Sequence, residues 1–305
     1  MKYRSFNLLF FFAIYSLPCT LKADTIWLAP NLSSNRDKSW YVRPVEKLNG
    51  QIKQFDNAVI VIVGASNNQE TRHASSRVLW IESEDESDLE KTLRNAFAEG
   101  NDQHVLTGLS EVLMQRPPVW RQQWLTMLAA ASAWRTHRGR ISLELVGQLD
   151  KRPLPLMILA WSPILWKNRI ESDVVTRDAA SRIDDPSELV RLIASSWLLT
   201  STQRQLAVAT LESLIKSERT EIATLAEIVL WRSKSPIEAR QSITQWKEIV
   251  ADLPTVLQTG PIVMLKDKME SSGDASTAAQ LKWSLEVSPV VDKLMWLDDR
   301  LVHEN

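Results

Sequence analysis

The fold is decided by residues 186–250, which read PSELVRLIASSWLLTSTQRQLAVATLESLIKSERTEIATLAEIVLWRSKSPIEARQSITQWKEIV. Apolar residues in this stretch recur three and four positions apart, which is the spacing of one buried face of an α-helix. Ser187 stands where it can cap the first helix, and Ser235 followed by Pro236 and Glu238 has the form of a capping box. The pattern predicts four short helices in this stretch.

The same pattern continues to residue 302, and we expect three further helices. They begin at Gly260-Pro261, Asp274 and Ser288-Pro289. Isolated helices this short are marginal in water, and short connections force neighbouring helices to lie antiparallel and side by side. The sequence therefore predicts an α-solenoid of antiparallel helix pairs over residues 172–305, which makes the protein mostly α-helical.

Part of this region resembles a tetratricopeptide unit. Residues 260–289 combine a helix, a turn at residues 272–274 and a second helix that contains the small residue Ala278. Trp197 and Trp231 are separated by 34 positions, the period of that repeat. The resemblance implies a degenerate tetratricopeptide-like or HEAT-like helical array, and it implies no ligand.

The N-terminus has the composition of a secretory signal peptide. Lys2 and Arg4 precede an almost continuous apolar run over residues 6–17, which is too short to cross a bilayer. We expect cleavage after Ala23, so that residues 1–23 are removed and no membrane span remains. An uncleaved N-terminal anchor is the alternative interpretation.

The position of the single cysteine indicates the cellular compartment. The balance of charges limits the class of partner. The single cysteine, Cys19, lies within the signal, and Pro18 before it disfavours a lipoprotein. An exported chain without disulfides is typical of the periplasm or cell envelope of a bacterium. With 36 basic and 37 acidic residues, the chain has no positive excess to attract nucleic acid.

Residues 24–86 carry strand patterning instead of helical patterning. The polar stretch over residues 24–43 predicts an extended lead-in, and Asp56-Asn57 predicts a turn. Four short runs predict strands at residues 50–55, 58–63, 70–74 and 77–82. Because four short strands bury little as an open sheet, a small closed barrel is expected.

The order of these features resembles small Sm-like or SH3-like β-barrels over residues 48–83. A glycine opens a strand, an Asp-Asn turn follows, and a polar strand leads to an Arg-Val-Leu-Trp-Ile ending. The layout is also similar to bacterial secreted proteins that join such a barrel to a helical array. The resemblance implies a module that docks a peptide or another protein.

Residues 87–151 predict a first block of helices. Ser87 and Glu90 have the spacing of a capping box, which places the start of the first helix. The acidic residues at 82–88 have two interpretations, namely a cation site or a solvated hinge that leads into a helix N-terminus, and the second is favoured.

Residues 152–171, which we name the connector, depart from both patterns. Prolines at positions 153, 155 and 163 interrupt a long apolar run and exclude a regular helix. Such a segment either packs between the two helical blocks or lines a binding groove. Packing is the favoured interpretation, and the residues proposed for a partner-binding surface are Leu156, Trp161 and Trp166.

No motif in the sequence indicates a catalytic, cofactor-binding or metal-binding residue. Ser213 and Lys216 have the spacing of a serine–lysine hydrolase pair, but the companion motif is missing and the pair falls on a polar face. The four histidines do not share a helical face, so no zinc site is predicted. Most of the 13 tryptophans have the spacing of core residues, although indoles can also stack on sugars.

These observations favour a non-enzymatic interaction or scaffold protein of the bacterial envelope, with another envelope protein or a peptide as its partner. Two alternatives remain open. One is a hydrolase of envelope polymers with an unrecognised site, which requires converging titratable groups in one pocket. The other is a glycan-binding or wall-binding module, which requires solvent-facing tryptophans in a row.

Overall fold

The computed structural model describes residues 23–30, 44–65 and 68–290. This part of the chain is mostly helical and carries one five-stranded antiparallel sheet near its N-terminus. The predicted signal peptide and the predicted helix after Ser288-Pro289 fall on or run into residues outside the described ranges. Within those ranges every helix is too short or too polar to span a bilayer.

The sheet is open rather than closed among the described residues. Its strand order is β4-β3-β2-β1-β5, so β4 and β5 form opposite edges and are not paired with each other. The strands are β1 Asp24–Leu28, β2 Glu46–Phe55, β3 Val59–Gly64, β4 Glu70–Ala74 and β5 Val78–Glu82. A small N-terminal β module is therefore confirmed, whereas closure of the sheet into a barrel is not.

The prediction of an extended lead-in over residues 24–43 was wrong for its first five residues. Residues 24–28 form β1, which lies inside the sheet between β2 and β5, with Ile26 and Leu28 fully buried. Its partners are about 20 to 60 residues away in sequence, so no local pattern identified it. This extra strand also gives β5 a partner, and β5 is buried on both faces.

The predicted Asp56-Asn57 turn is confirmed and explains how β2 and β3 pair. The Asp56 carboxylate accepts hydrogen bonds from the backbone N–H groups of Ala58 and Val59 at 2.8 and 2.9 Å. Gly50 sets the other end of the pair, because an added Cβ would lie 2.3 Å from the Val63 carbonyl oxygen. Turn and glycine together fix the register of the hairpin.

The first helical block has four helices, and its predicted capping box is confirmed. The Ser87 hydroxyl accepts from the Glu90 N–H, and the Glu90 carboxylate accepts from the Ser87 N–H. The third helix is buried on almost every side and lies at the centre of the block. The bounds are α1 Asp88–Ala98, α2 Asp102–Met114, α3 Val119–Arg135 and α4 Gly139–Leu149.

The helices predicted between Ser187 and residue 286 are present, and one further helix precedes them inside residues 172–305. Ser187 and Ser235 cap their helices as expected, the second in a full capping box. Helix α7 packs on α8 and α8 packs on α9, and in the same way α10 packs on α11 and α11 packs on α12. A regular solenoid stays a prediction. The bounds are α6 Asp173–Ala180, α7 Glu188–Leu198, α8 Arg204–Leu214, α9 Thr220–Trp231, α10 Pro236–Asp252, α11 Thr259–Ser271 and α12 Ala275–Glu286.

The connector lies between the sheet, the first block and the array. It contains one short turn of helix, α5 Leu156–Leu159, and is otherwise irregular, as its prolines require. A 3₁₀ turn at Thr255–Leu257 joins α10 to α11 and packs against α5 and β5. The connector is therefore the segment through which the three parts of the molecule meet.

Candidate functional site

Trp161 and Trp166, two of the three residues proposed for partner binding, are in the core. The Trp161 ring contacts Trp80 of β5, Phe97 of α1 and Trp124 of α3, with ring centroids 5.8 to 6.1 Å apart. The Trp166 ring packs on Gly260 so closely that an added Cβ would lie 2.2 Å from its Nε1. These two indoles hold the connector in place and present little surface to a partner.

The backbone of the connector is satisfied by side chains from the array. The Arg232 guanidinium donates to the carbonyls of Leu165, Ser196 and Lys167 at 2.6 to 2.7 Å. The Ser196 hydroxyl accepts from the Leu165 N–H at 3.0 Å. An irregular buried segment needs such partners, because its backbone polar groups have no helix or sheet ladder to bond to.

Arg232 is an unusual cation because it is almost completely buried. Burial lowers the pKa of Arg232 to about 10, although the negative charge of Glu171 acts in the opposite direction. The Glu171 side chain is itself fully buried and lies 3.5 Å from Arg169 Nε. Periodicity gave no signal for Arg232, since its partners lie 36 to 67 residues away. Its contacts show a structural role for this residue.

Leu156, the third predicted residue, lines an open groove. The groove has a volume of about 510 Å³ and lies where the connector meets the β2–β3 turn, the start of α9, the end of α10 and the 3₁₀ turn. Leu156 is half-buried, so part of its side chain faces the groove. Half of the lining is apolar: Leu154, Leu156, Ile249, Leu253, Pro254 and Leu257.

Carboxylates form the polar side of this groove. Glu221 and Glu227 project from α9 and Asp252 from the end of α10, and none of the lining residues in the described ranges is a lysine or arginine. Arg219 lies behind Glu221, with its Nε 3.1 Å from that carboxylate and its Nη1 2.8 Å from Asp150. Burial opposes the charge on Arg219, but its hydrogen bonds to the two carboxylates outweigh burial and raise its pKa.

The acidic stretch at residues 82–88 is only partly the solvated hinge that was favoured. Glu86 is buried and its carboxylate lies 3.2 Å from Arg94 Nη2. Burial raises the pKa of Glu86, and the Arg94 charge opposes that shift. The buried Arg121 lies 3.4 Å from Glu90, so these charges join the sheet to α1 and α3. Within the described ranges, no group of three or more His, Cys, Asp or Glu residues is placed to hold a metal ion.

The remaining candidates for chemistry do not converge. Ser213 and Lys216 are both exposed at the end of α8. Of the tryptophans in the described part of the chain, Trp283 is the only exposed one, and Trp27 is half-buried beneath Lys47. The described indoles thus do not form a solvent-facing row.

The groove is therefore the feature best suited to binding. Sequence reasoning found one of its residues, Leu156, and missed its acidic side, because the carboxylates come from two helices that the chain brings together only on folding. No protein-family model, no curated protein and no solved structure matches this chain.

Proposed function

We propose that this protein is a non-enzymatic interaction protein of a bacterial cell envelope that docks a partner in the groove beside Leu156. The observation that supports the proposal is the groove itself, in which Leu156 and Ile249 remain half-exposed within a volume of about 510 Å³. Volumes of about 300 to 1,000 Å³ with apolar linings are typical of binding sites.

The placement of the groove also favours binding. Its walls come from the sheet, the connector and two helices of the array, and these are held together by the buried contacts of Trp161 and Arg232. A site on rigid, mutually fixed elements loses little conformational entropy when a partner binds. The N-terminal signal predicted from the sequence supports an envelope location.

Site-specific photo-crosslinking in cells that naturally produce the protein tests this function. A photoreactive residue in place of Thr224, which lines the groove, is expected to capture a defined partner. The matched control is Ile237, which is exposed on the first turn of α10 and lies about 18 Å along that helix from Ile249.

The groove is shown to be responsible if Leu156→Asp abolishes the Thr224 product while far-UV circular dichroism and the unfolding midpoint stay unchanged. Capture at Ile237 but not at Thr224, or no product at Thr224, overturns the proposal.

A further inference from the structure

We propose that two copies of this chain associate through the outer face of α12, with the two helices antiparallel across a twofold axis. The feature that points to this face is Trp283, the only exposed tryptophan in the part of the chain that the structure describes, with 61% of its surface accessible to solvent. Tryptophan supplies much of the binding energy at protein interfaces when its indole is buried there. The proposal is independent of the groove beside Leu156.

Trp283 belongs to a continuous apolar stripe on α12. Ala279, Trp283 and Val287 follow one another at intervals of four positions, so they lie along one side of the helix, and all three are exposed. We name these three residues the α12 stripe. The opposite side of the helix is buried and packs on α11, and it carries Ala278, Leu281 and Leu285. Helix α12 thus packs on the array with one side and exposes a second apolar side to solvent.

Two charges beside the α12 stripe make it complementary to a second copy of itself. Lys282 and Glu286 lie on the same flank of the helix, both are exposed, and their charged atoms are 3.9 Å apart. When identical helices meet antiparallel across a twofold axis, equivalent flanks face each other with their order reversed. Lys282 of one copy then lies opposite Glu286 of the other, and the symmetry repeats this pair.

The apolar residues of the stripe suit the same arrangement. With the twofold axis near Trp283, the two indoles meet at the centre of the contact, and the small Ala279 of one copy faces Val287 of the other. A strongly acidic or strongly basic partner would instead meet a like charge on the flank of Lys282 and Glu286. A second copy is therefore the occupant that the charges of this face favour.

The size of α12 indicates a weak contact. The helix has 12 residues and is therefore about 18 Å long. Two helices of this length bury less than the roughly 1,200 Å² at which stable protein interfaces begin. We therefore expect single copies and dimers to exchange, and the fraction of dimer to depend on the protein concentration.

Sedimentation equilibrium of the protein purified from the cells that naturally produce it tests this contact. We expect the average mass to rise with concentration from that of one copy towards that of two. Trp283→Ser is expected to weaken the association about tenfold or more. The matched control is Ile237→Ser, because Ile237 is 71% exposed on α10, and this variant is expected to change the association constant by no more than about twofold.

Charge reversal tests the antiparallel arrangement. Lys282→Glu makes the flank wholly negative and Glu286→Lys makes it wholly positive, so each variant alone is expected to associate about fivefold or more weakly than the natural protein. Mixed in equal amounts, the two variants are expected to regain the association, because every opposed pair is again one lysine and one glutamate. The two positions within each copy stay like-charged in the mixture, so the recovery can come only from contacts between copies.

The mass of one copy at every concentration would overturn the proposal. Association that Trp283→Ser leaves unchanged would also overturn it, and so would reversal variants that do not recover on mixing. Far-UV circular dichroism and the unfolding midpoint show whether each variant is folded, and Val287→Ser provides the same test if Trp283→Ser is not. Photo-crosslinking at Thr224 tests the proposed function separately, so either proposal can fail alone.

Discussion

The connector and the helices of the array are both buried, but their backbone groups find hydrogen-bond partners in different ways. Helices α7 and α9 satisfy their own backbone groups, so their side chains are left for packing. The connector is equally buried but mostly irregular, and Arg232, Ser196 and Trp197 from the array supply its missing hydrogen bonds. Helices can therefore form wherever their pattern occurs, whereas the connector needs a particular set of distant side chains.

This difference predicts which substitutions destabilise the protein most. A helix of the array loses one cap when its capping residue changes, and such a loss costs about 1 kcal/mol. The connector depends on single groups that serve several partners at once. Since the groove beside Leu156 is built on the connector, a change that loosens the connector is expected to impair binding as well as stability.

The largest effect is expected for Arg232→Met. The change leaves three carbonyls without their donor and removes one of the two cations near Glu171, the other being Arg169, and breaking a buried charged network costs about 3–5 kcal/mol. Urea unfolding followed by tryptophan fluorescence measures the loss, and hydrogen exchange of connector amides locates it.

Arg191→Met is the matched control, because Arg191 is half-buried on α7 and its ion pair among the described residues is a 3.7 Å contact with Glu188. That variant is expected to lose less than about 1 kcal/mol. If the free energy of unfolding falls by the same small amount in both variants, Arg232 does not hold the connector in place.

A glycine pair tests close packing of the connector. Gly260→Ala places a Cβ 2.2 Å from the Trp166 ring, so overpacking is expected to cost about 1–3 kcal/mol. Gly147→Ala in α4 meets only Val190 at 3.5 Å and is expected to gain up to about 1 kcal/mol from helix propensity. A lower unfolding midpoint for Gly260→Ala and a higher one for Gly147→Ala would confirm the comparison. A higher midpoint for Gly260→Ala would contradict it.

Features whose partners are close in the chain could be predicted from the sequence, and features whose partners are distant could not. The capping boxes at Ser87 and Ser235 were found because both partners of each hydrogen bond lie within four residues. Packing of the connector was the favoured interpretation, but strand β1, the partners of Trp161 and the role of Arg232 were not found, because the residues involved are distant in the chain. The prolines correctly excluded a regular helix through the connector, which contains only the single turn α5, but they could not show which of its faces would be covered.

The groove could be predicted only in part for the same reason. Leu156 was identified as a candidate because it follows a proline-rich break in an apolar run. Glu227 and Asp252 looked like ordinary polar positions on helices, and only the packing of α9 and α10 beside the connector makes them neighbours. A pattern within one helix carries no information about a wall shared by several elements.

The caps offer a smaller and sharper test within the array. Ser235→Ala removes an exposed cap and is expected to cost about 1 kcal/mol. Ser187→Ala is expected to cost more, because that hydroxyl also donates to the buried Asp150 carboxylate at 2.7 Å, which ties the array to the first block. Urea midpoints in the reverse order would show that the contact with Asp150 contributes nothing.

The smallest effect concerns the ion pair between Lys167 of the connector and Asp267 of α11, whose charged atoms lie 3.9 Å apart. Burial raises the pKa of Asp267 above its ordinary value of 3.8, and the charges of Lys167 and Lys266 only partly oppose this. The folded state therefore binds the Asp267 proton more tightly than the unfolded state does.

The contribution of Asp267 to stability consequently rises as the pH falls through the raised pKa, and it is complete below about 3.8. Asp267→Asn removes this dependence, so the variant is expected to be at least as stable as the natural protein at pH 7 and to lose that advantage near pH 4. Urea midpoints at both pH values measure the change, with the exposed Glu270→Gln on the same helix as the control. A variant that is clearly less stable at pH 7 would mean that the ion pairs of Asp267 with Lys167 and Lys266 stabilise the fold by more than burial of the carboxylate costs.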